Sequence, residues 1–218
     1  MLGKIQVRRR FSRIAVHRFP FRGIIRAMAH KFDPKHADKL EAEDFRKQMN
    51  PGAILSSLGL KPGDVFIDVG CGTGFYLRAA AEILKDSGSV YGIDSSRKML
   101  KFLKNHTERG LLTAFNLVKS REYAVPLPDG IGTFALLSTV LHEVDEKVRL
   151  LGEIKRLLKP GGKLAVIEFE KTETPHGPPL HHRLSREDTA VWINQSGYSS
   201  VAFSAVNEEL YACTAQST

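Results

Sequence analysis

Two aspartates and three closely spaced glycines are the residues of this chain best suited to chemistry. A predicted buried strand that contains Asp68 leads directly into Gly70, Gly72 and Gly74, and a second apolar strand ends on Asp94, twenty residues after the last glycine. Glycine lets the backbone approach a ligand more closely than a residue with a Cβ can. The Asp94 carboxylate can accept hydrogen bonds from both hydroxyls of a ribose. The pattern predicts a nucleotide-binding strand–turn–helix–strand unit with Asp94 at an exposed strand end.

The glycine spacing differs from two other nucleotide signatures. It is G-x-G-x-G and not the G-x-G-x-x-G that is typical of dinucleotide binding. The chain also has no Gly-Lys-Ser/Thr, so it lacks the lysine that grips phosphates in a P-loop. NAD binding and P-loop chemistry are therefore not favoured.

The elements that must position these residues alternate between strand and helix. Strands are predicted over 65–69, 89–93, 113–118, 132–138, 163–169, 199–205 and 209–214. Helices are predicted over 36–49, 53–58, 74–85, 96–108, 145–158 and 186–196. Such alternation favours an α/β, doubly wound, mainly parallel sheet of seven strands. The last two strands are joined by only a few residues, which permits only antiparallel pairing, so the last strand is predicted to be antiparallel.

Five segments resemble, in order and spacing, the motifs of class I S-adenosylmethionine (SAM)-dependent methyltransferases, and in particular the type 11 and ubiquinone-biosynthesis-like family. They are Asp68–Gly74, Asp94–Leu100, Val125–Asp129, Leu158–Gly162 and Gly177–Ser185. The resemblance extends from about Lys31 to Ala215. It implies a Rossmann-like fold with a reversed final strand, SAM as the cofactor, and transfer of a methyl group.

The resemblance also implies roles for individual residues. Gly70 and Gly72 would pack against the methionine part of the cofactor, Asp68 would order the turn and meet the amino end, and Asp94 would hold the ribose. Met99 would lie beside the adenine or simply pack in the core. The expected cofactor-binding set is Asp68, Gly70, Cys71, Gly72, Thr73, Gly74, Asp94, Ser95, Met99, Arg121, Glu122 and Ser138.

The segment that should read the adenine edge departs from the family pattern. Relatives often carry an acid at the position that Arg121 occupies here, with Glu122 one residue later. Either Glu122 takes that role after a small shift, or backbone groups alone contact the adenine.

His142 is the candidate catalytic residue. It follows the predicted strand 132–138, on the side from which a methyl acceptor should approach. A base is needed only if the acceptor must lose a proton, and a histidine titrates near neutral pH. The alternative is that His142 caps the next helix or forms part of the pocket wall.

The histidines at 176, 181 and 182 lie in a segment, 172–184, that is a candidate lid over the acceptor pocket. Adjacent histidines point in different directions, and no Cys or acid cluster stands at ligand spacing. No metal site is predicted.

The basic charge is concentrated at the start of the chain. Nine of the 32 Lys and Arg residues lie within 1–32, which has no acid, and this leaves 23 basic against the 24 acidic residues of the whole chain. The sequence therefore predicts a basic N-terminal extension, 1–30, and a near-neutral methyltransferase domain, 31–218. The extension has three interpretations: a poorly packed segment upstream of a functional start at Met28, a surface that contacts nucleic acid or membrane, or a targeting peptide.

These features favour a methyltransferase that acts on a small molecule. The alternatives are a methyltransferase for RNA or protein that docks through the basic segment, and a SAM-binding protein without catalysis. Nucleic acid is an unlikely partner, because the basic charge is not on the domain. No apolar stretch reaches the roughly 18 residues that a membrane span needs. Two cysteines, Cys71 and Cys213, fit a reducing compartment and a cytoplasmic location.

Overall fold

The computed structural model describes residues 49–107, 109–112, 114–174 and 177–218. The predicted basic extension, the predicted helix 36–49 apart from its last residue, and His176 lie outside the described residues. The expectations for those segments stay predictions.

Seven strands and six α-helices make up the described part of the chain. The strands are β1 (Val65–Val69), β2 (Ser89–Asp94), β3 (Phe115–Lys119), β4 (Gly132–Ser138), β5 (Leu158–Phe169), β6 (Tyr198–Ala205) and β7 (Leu210–Ser217). The helices are α1 (Pro51–Ser57), α2 (Phe75–Leu84), α3 (Arg97–His106), α4 (Arg109–Leu112), α5 (Lys147–Leu157) and α6 (Arg186–Gln195). Short 3₁₀ turns cover Lys85–Ser87, Leu141–Glu143 and Leu180–His182.

The strands form one sheet in the order β3-β2-β1-β4-β5-β7-β6. The pairs from β3 to β5 are parallel, and β7 is antiparallel to both of its neighbours, β5 and β6. This confirms the predicted seven-stranded, mainly parallel sheet with a reversed last strand. The strand order changes direction between β1 and β4, the point at which open α/β sheets bind ligands beyond the carboxyl ends of their strands.

Strand β5 differs most from its predicted bounds. The segment Leu158–Gly162 contains Pro-Gly-Gly, which predicts a turn, but β5 already begins at Leu158. Leu158 is buried and pairs with Gly132, and the ladder then shifts register before Phe134 pairs with Lys163. The irregular residues therefore lie within the bounds of the strand and not before it.

Helices cover both faces of the sheet, so its central strands are buried on both sides. On β1, Phe66 joins the core under α1, α2 and α3, whereas its neighbour Ile67 joins the core under α5 and α6. This is why the strand is a continuous apolar run and does not alternate. Asp68 interrupts that run at the end where the sheet opens to a cavity.

Candidate active site

A cavity of about 300 Å³ lies beyond the carboxyl ends of β1, β2 and β4. Most of the predicted site residues line it: Asp68, Gly70, Cys71, Gly72, Thr73, Asp94, Ser95, Met99, Arg121, Glu122 and Ser138. Gly74 and His142 do not belong to this lining. The fold thus brings together residues that are up to seventy positions apart in the chain.

The glycine turn wraps around the end of β2. The amides of Gly70 and Cys71 both donate to the carbonyl of Ile93, at 2.8 and 3.0 Å. Gly70 has a φ of 77°, and a Cβ there would stand 2.6 Å from a methyl group of Val140. Only glycine suits this position, because both its backbone conformation and its neighbour exclude a side chain.

Gly74 has a structural role behind the cavity. It precedes α2 with a φ of 83°, and a Cβ there would stand 2.7 Å from Leu103 of α3. Gly74 therefore lets helices α2 and α3 approach each other closely. It positions the turn in this way, although it does not line the cavity.

Asp94 connects β2 to the glycine turn. Its two carboxylate oxygens accept from the amide of Gly72 at 2.9 Å and from the amide of Ser96 at 2.6 Å. The residue is only 8% exposed, so it is not at an exposed strand end as the sequence suggested. The glycine turn, which the Asp94 carboxylate holds through the amide of Gly72, covers this end of β2. Burial raises the pKa of Asp94, while the two amide hydrogen bonds oppose that rise.

Asp68 supplies a second carboxyl group to the same region. It is almost completely buried, and this burial, together with the charge of Asp94, raises its pKa to about 8. The hydrogen bonds that order the turn come from Asp94 and Ile93, and the role of Asp68 toward an amino group stays a prediction. A positively charged ligand beside these two buried acids would favour their ionised forms and so lower the raised pKa of Asp68.

The cavity continues along the loop after β3. The amide of Ser120 donates to the carbonyl of Asp94 at 3.1 Å, which carries Arg121 and Glu122 to the cavity wall. Both candidate residues for the adenine edge therefore lie at the site, and the choice between them stays open. Met99 lies at the turn, because a Cβ on Gly72 would stand 3.7 Å from its terminal methyl group.

The opposite wall is largely apolar and comes from the carboxyl ends of β4 and β5, the loop after β4, helix α5 and the start of β7. Its members include Thr139, Val140, Val144, Leu150, Phe169 and Leu210. Ser138 ends β4, and both Ser138 and Tyr76 line the cavity. The sequence motifs did not indicate these residues, except for Ser138. For Thr139, Val140 and Phe169, the position at or just after the end of a buried strand is the signal that could have found them, and Leu150 and Leu210 carry no such signal.

His142 lies behind this wall. Its Nδ1 is 2.7 Å from a carboxylate oxygen of Glu168, its amide donates to the other oxygen at 3.2 Å, and its side chain is 7% exposed. Burial alone would lower the pKa of His142, but the Glu168 carboxylate outweighs this effect and the pKa is raised. Val140 and Glu143, which are close to His142 in the chain, line the cavity, whereas His142 does not.

The described part of the predicted lid is held by Arg183. This buried guanidinium donates to the carbonyls of Pro178, Glu170 and Thr172 and to the Thr174 hydroxyl, and it stacks on the ring of Phe169. Because Phe169 lines the cavity, Arg183 ties this segment to the cavity wall.

Among the described residues, neither the cysteines nor the histidines indicate a second functional centre. Cys71 and Cys213 are buried and free, and burial, then nearby Asp68 and Asp94, raises the pKa of the Cys71 thiol. Within the residues that the structure describes, no group of three potential metal ligands occurs. Over the same residues, no helix is long and apolar enough to cross a membrane.

Comparison with known proteins defines the class to which this fold and cavity belong. Residues 67–166 match the family model described as a methyltransferase domain, type 11. A crystal structure of a SAM-dependent methyltransferase from Aquifex aeolicus superposes with a TM-score of 0.81 at 30% identity, covering 86% of this chain and 100% of that one. The chain belongs to the SAM-dependent methyltransferases.

Several curated relatives are, by name, demethylmenaquinone or ubiquinone/menaquinone biosynthesis methyltransferases. The demethylmenaquinone methyltransferase of Geobacillus sp. (strain WCH70) is 29% identical over 136 residues, 62% of this chain and 58% of that protein. The ubiquinone/menaquinone biosynthesis C-methyltransferase of Shewanella halifaxensis is 32% identical over 120 residues, 55% of this chain and 48% of that protein. The chain thus matches about half the length of these relatives.

Proposed function

We propose that this protein transfers the methyl group of SAM to a small, largely apolar acceptor, such as the ring of a quinol. The observation that carries the proposal is the division of one cavity into two unlike parts. One part, the cofactor half, comprises residues 70–73 of the glycine turn with Asp68, Asp94, Met99 and the loop 120–122. The other, the acceptor half, comprises Ser138, Thr139, Val140, Glu143 and Val144 with Leu150, Phe169 and Leu210. The names of the curated relatives support a quinone-like acceptor.

The residues of the cofactor half fit SAM on two grounds. Gly70 and Gly72 both line the cavity and both have a positive φ, so the turn presents backbone without side chains, as a cradle for a ligand requires. The two buried carboxyl groups of Asp68 and Asp94 match a ligand that carries an ammonium and a sulfonium. Asp94 would hold the ribose, Asp68 the amino group, and Met99 with Arg121 or Glu122 the adenine.

When bound, SAM supplies an electrophilic methyl group on a positively charged sulfur. The contribution of the protein is alignment and exclusion of water. Asp94 and the glycine turn would orient the cofactor, and Ser138 would mark the boundary with the acceptor half. The apolar wall of Val144, Leu150, Phe169 and Leu210 would keep water away from the acceptor. His142 lies behind the wall, which supports a pocket-wall role over direct proton abstraction.

Three further assignments belong to this proposal. Residues 31–218 form the methyltransferase domain, with 1–30 as an extension that is not needed for cofactor binding. The protein acts in the cytoplasm, which the two buried free cysteines support. Its acceptor is a small molecule and not RNA or protein.

Two measurements test the proposal in sequence. In calorimetry, SAM and S-adenosylhomocysteine are expected to bind at micromolar levels and NAD much more weakly. Tighter binding of NAD would contradict the cofactor assignment. Transfer of label from methyl-labelled SAM is then measured with a short-chain demethylmenaquinol, a catechol and bulk RNA. Transfer to RNA alone, or binding without any transfer, would contradict a small-molecule methyltransferase.

A further inference from the structure

Glu168 is a buried carboxylate that has no role in the cofactor half of the cavity. It lies one residue before the end of β5, is only 1% exposed and does not line the cavity. A carboxylate in such a place is costly unless it is paired and hydrogen-bonded. Both of its oxygens are used on a single partner, His142, through the backbone amide and the ring.

His142, the hydrogen-bond partner of Glu168, belongs to a strained segment. Thr139, just after β4, has a φ of 52°, which is unusual for a β-branched residue. Its amide donates at 2.7 Å to the carbonyl of Ile167, the residue before Glu168. Strand β5 therefore holds the segment 139–143 at two points, from two consecutive residues.

The same segment faces the cavity on its other side. Thr139, Val140 and Glu143 line the cavity, and Val140 packs directly against Gly70 of the glycine turn. A shift of the segment would therefore change the acceptor half and its boundary with the cofactor half. Two contacts from one carboxylate specify both the position of the backbone and the orientation of the imidazole at His142.

We propose that Glu168 is a positioning residue for methyl transfer: through His142 it fixes the segment 139–143 in the place where this segment shapes the acceptor half of the cavity. This inference rests on the proposed function for its effect on turnover. The effect on the segment itself can be measured without any acceptor, so the two can fail separately.

The electrostatic surroundings of His142 agree with a held ring. Glu168 and Glu143 raise the pKa of His142, and Lys147, at the start of α5, opposes them. The Nδ1–H of the ring can donate to Glu168 in the protonated form and in one neutral tautomer, so the contact persists on both sides of the titration.

The test compares Glu168→Gln with Glu170→Gln. Glutamine keeps the shape of Glu168 but removes its negative charge, and its side-chain nitrogen donates where a carboxylate oxygen accepts, so one of the two acceptor contacts with His142 is lost. Glu170 lies two residues further on, pairs with Arg186 near the surface and does not line the cavity, so it provides a matched control.

Amide hydrogen exchange and calorimetry with S-adenosylhomocysteine are measured first. In Glu168→Gln, exchange at 139–143 should be faster by about tenfold or more, while exchange at 70–74 should change by less than about twofold, since only the segment has lost its anchor. S-adenosylhomocysteine affinity should stay within a few-fold of the parent. Unchanged exchange at 139–143, or equal acceleration throughout the domain, would overturn the proposal and leave Glu168 as a general stabilising residue.

Two further readouts separate positioning from stability. The carbon NMR titration of His142 in the parent, assigned with His142→Asn, should give a pKa above that of an ordinary histidine, and Glu168→Gln should lower it. This measurement needs no folded variant of Glu168, and an ordinary or lowered value in the parent would overturn the contact. With an acceptor from the label-transfer screen, Glu168→Gln should lower kcat about tenfold or more with SAM KM unchanged, whereas Glu170→Gln should match the parent. An unchanged kcat in Glu168→Gln would likewise overturn the proposal.

Discussion

The two halves of the cavity are built in different ways. The cofactor half consists mainly of backbone from two adjacent strand ends, tied together by Asp94 and Ile93. The acceptor half consists of side chains from several elements, and residues outside the cavity, Glu168 and Arg183, hold it in place. A backbone cradle tolerates little change, whereas a side-chain wall can be altered residue by residue. Ligand specificity can therefore vary in the acceptor half while the cofactor half stays fixed.

The largest expected effect is the loss of Asp94, which would break the cofactor half alone. Asp94→Ala removes the proposed ribose acceptor and the two hydrogen bonds from the amides of Gly72 and Ser96, each charge-assisted bond being worth about 1.5–3 kcal/mol. SAM affinity measured by calorimetry should fall more than about tenfold. Asp86→Asn, an exposed change in the turn before the amino end of β2, serves as the control. Unchanged affinity in a folded Asp94→Ala variant would remove Asp94 from the site.

His142→Ala tests the acceptor half and should have the opposite signature. Turnover should fall by less than about a hundredfold, because a general base contributes roughly 10²–10⁴-fold and His142 lies behind the wall. SAM affinity should stay the same. A larger loss, together with disappearance of a histidine limb from the pH–rate profile, would show that His142 deprotonates the acceptor.

Gly70→Ala acts at the boundary where the halves touch. The left-handed backbone costs an L-residue about 1–2 kcal/mol, and the clash with Val140 should add a further 1–3 kcal/mol. Gly72→Ala has a similar backbone strain but only an ordinary contact with Met99, so it should cost less. Denaturant unfolding without ligand measures both variants. Adding Val140→Ala should restore only the part of the stability that the clash removes. If no stability is restored, the whole cost comes from the backbone conformation.

The pH dependence of stability should distinguish Asp68 from an ordinary acid. Its pKa is about 8 in the folded chain against an ordinary value of 3.8, so between these pH values the folded state keeps a proton that the unfolded state has lost. The free energy of unfolding should therefore decrease as the pH rises through this window, by at most about 1.4 kcal/mol per pH unit. Asp68→Asn should remove that decrease.

Asp64 provides the control for this measurement, because its pKa is shifted in the other direction. Burial opposes the shift, but the hydrogen bonds from Thr133 and Lys61 lower its pKa. Its contribution to stability is present above the unfolded pKa and is lost as the pH falls, so Asp64→Asn should alter the profile only below about pH 4. If Asp68→Asn and the parent have the same slope between pH 4 and 8, the raised pKa of Asp68 is wrong.

Removal of residues 1–27 should have the smallest effect, since the family resemblance begins only at about Lys31 and the excess basic charge lies before it. A chain that starts at Met28 is expected to keep its melting temperature and its SAM affinity within error. Loss of several degrees in thermal unfolding would show that the basic segment packs on the domain.

The two halves also differ in how far the sequence predicted them. Asp68, the glycine turn and Asp94 form a local pattern within thirty residues, and strand periodicity is enough to place them at one edge. The grip of Glu168 on His142 spans 26 residues and two strands, and a glutamate in an apolar strand gives no sign of its partner. Phe169 and Leu210 join the wall through the antiparallel pairing of β5 and β7, which fixes their register only in the folded sheet.

The hydrogen bonds of Asp94 have a kinetic consequence. Fixing one residue's backbone costs about 1–2 kcal/mol, and here the turn is ordered during folding and not when the ligand arrives. Docking then needs no slow rearrangement of residues 70–74, and cofactor analogues should associate at similar rates. Their affinities should differ mainly in residence time. The carboxylate that would hold the ribose therefore sets how long the ligand stays and has little influence on how fast it enters.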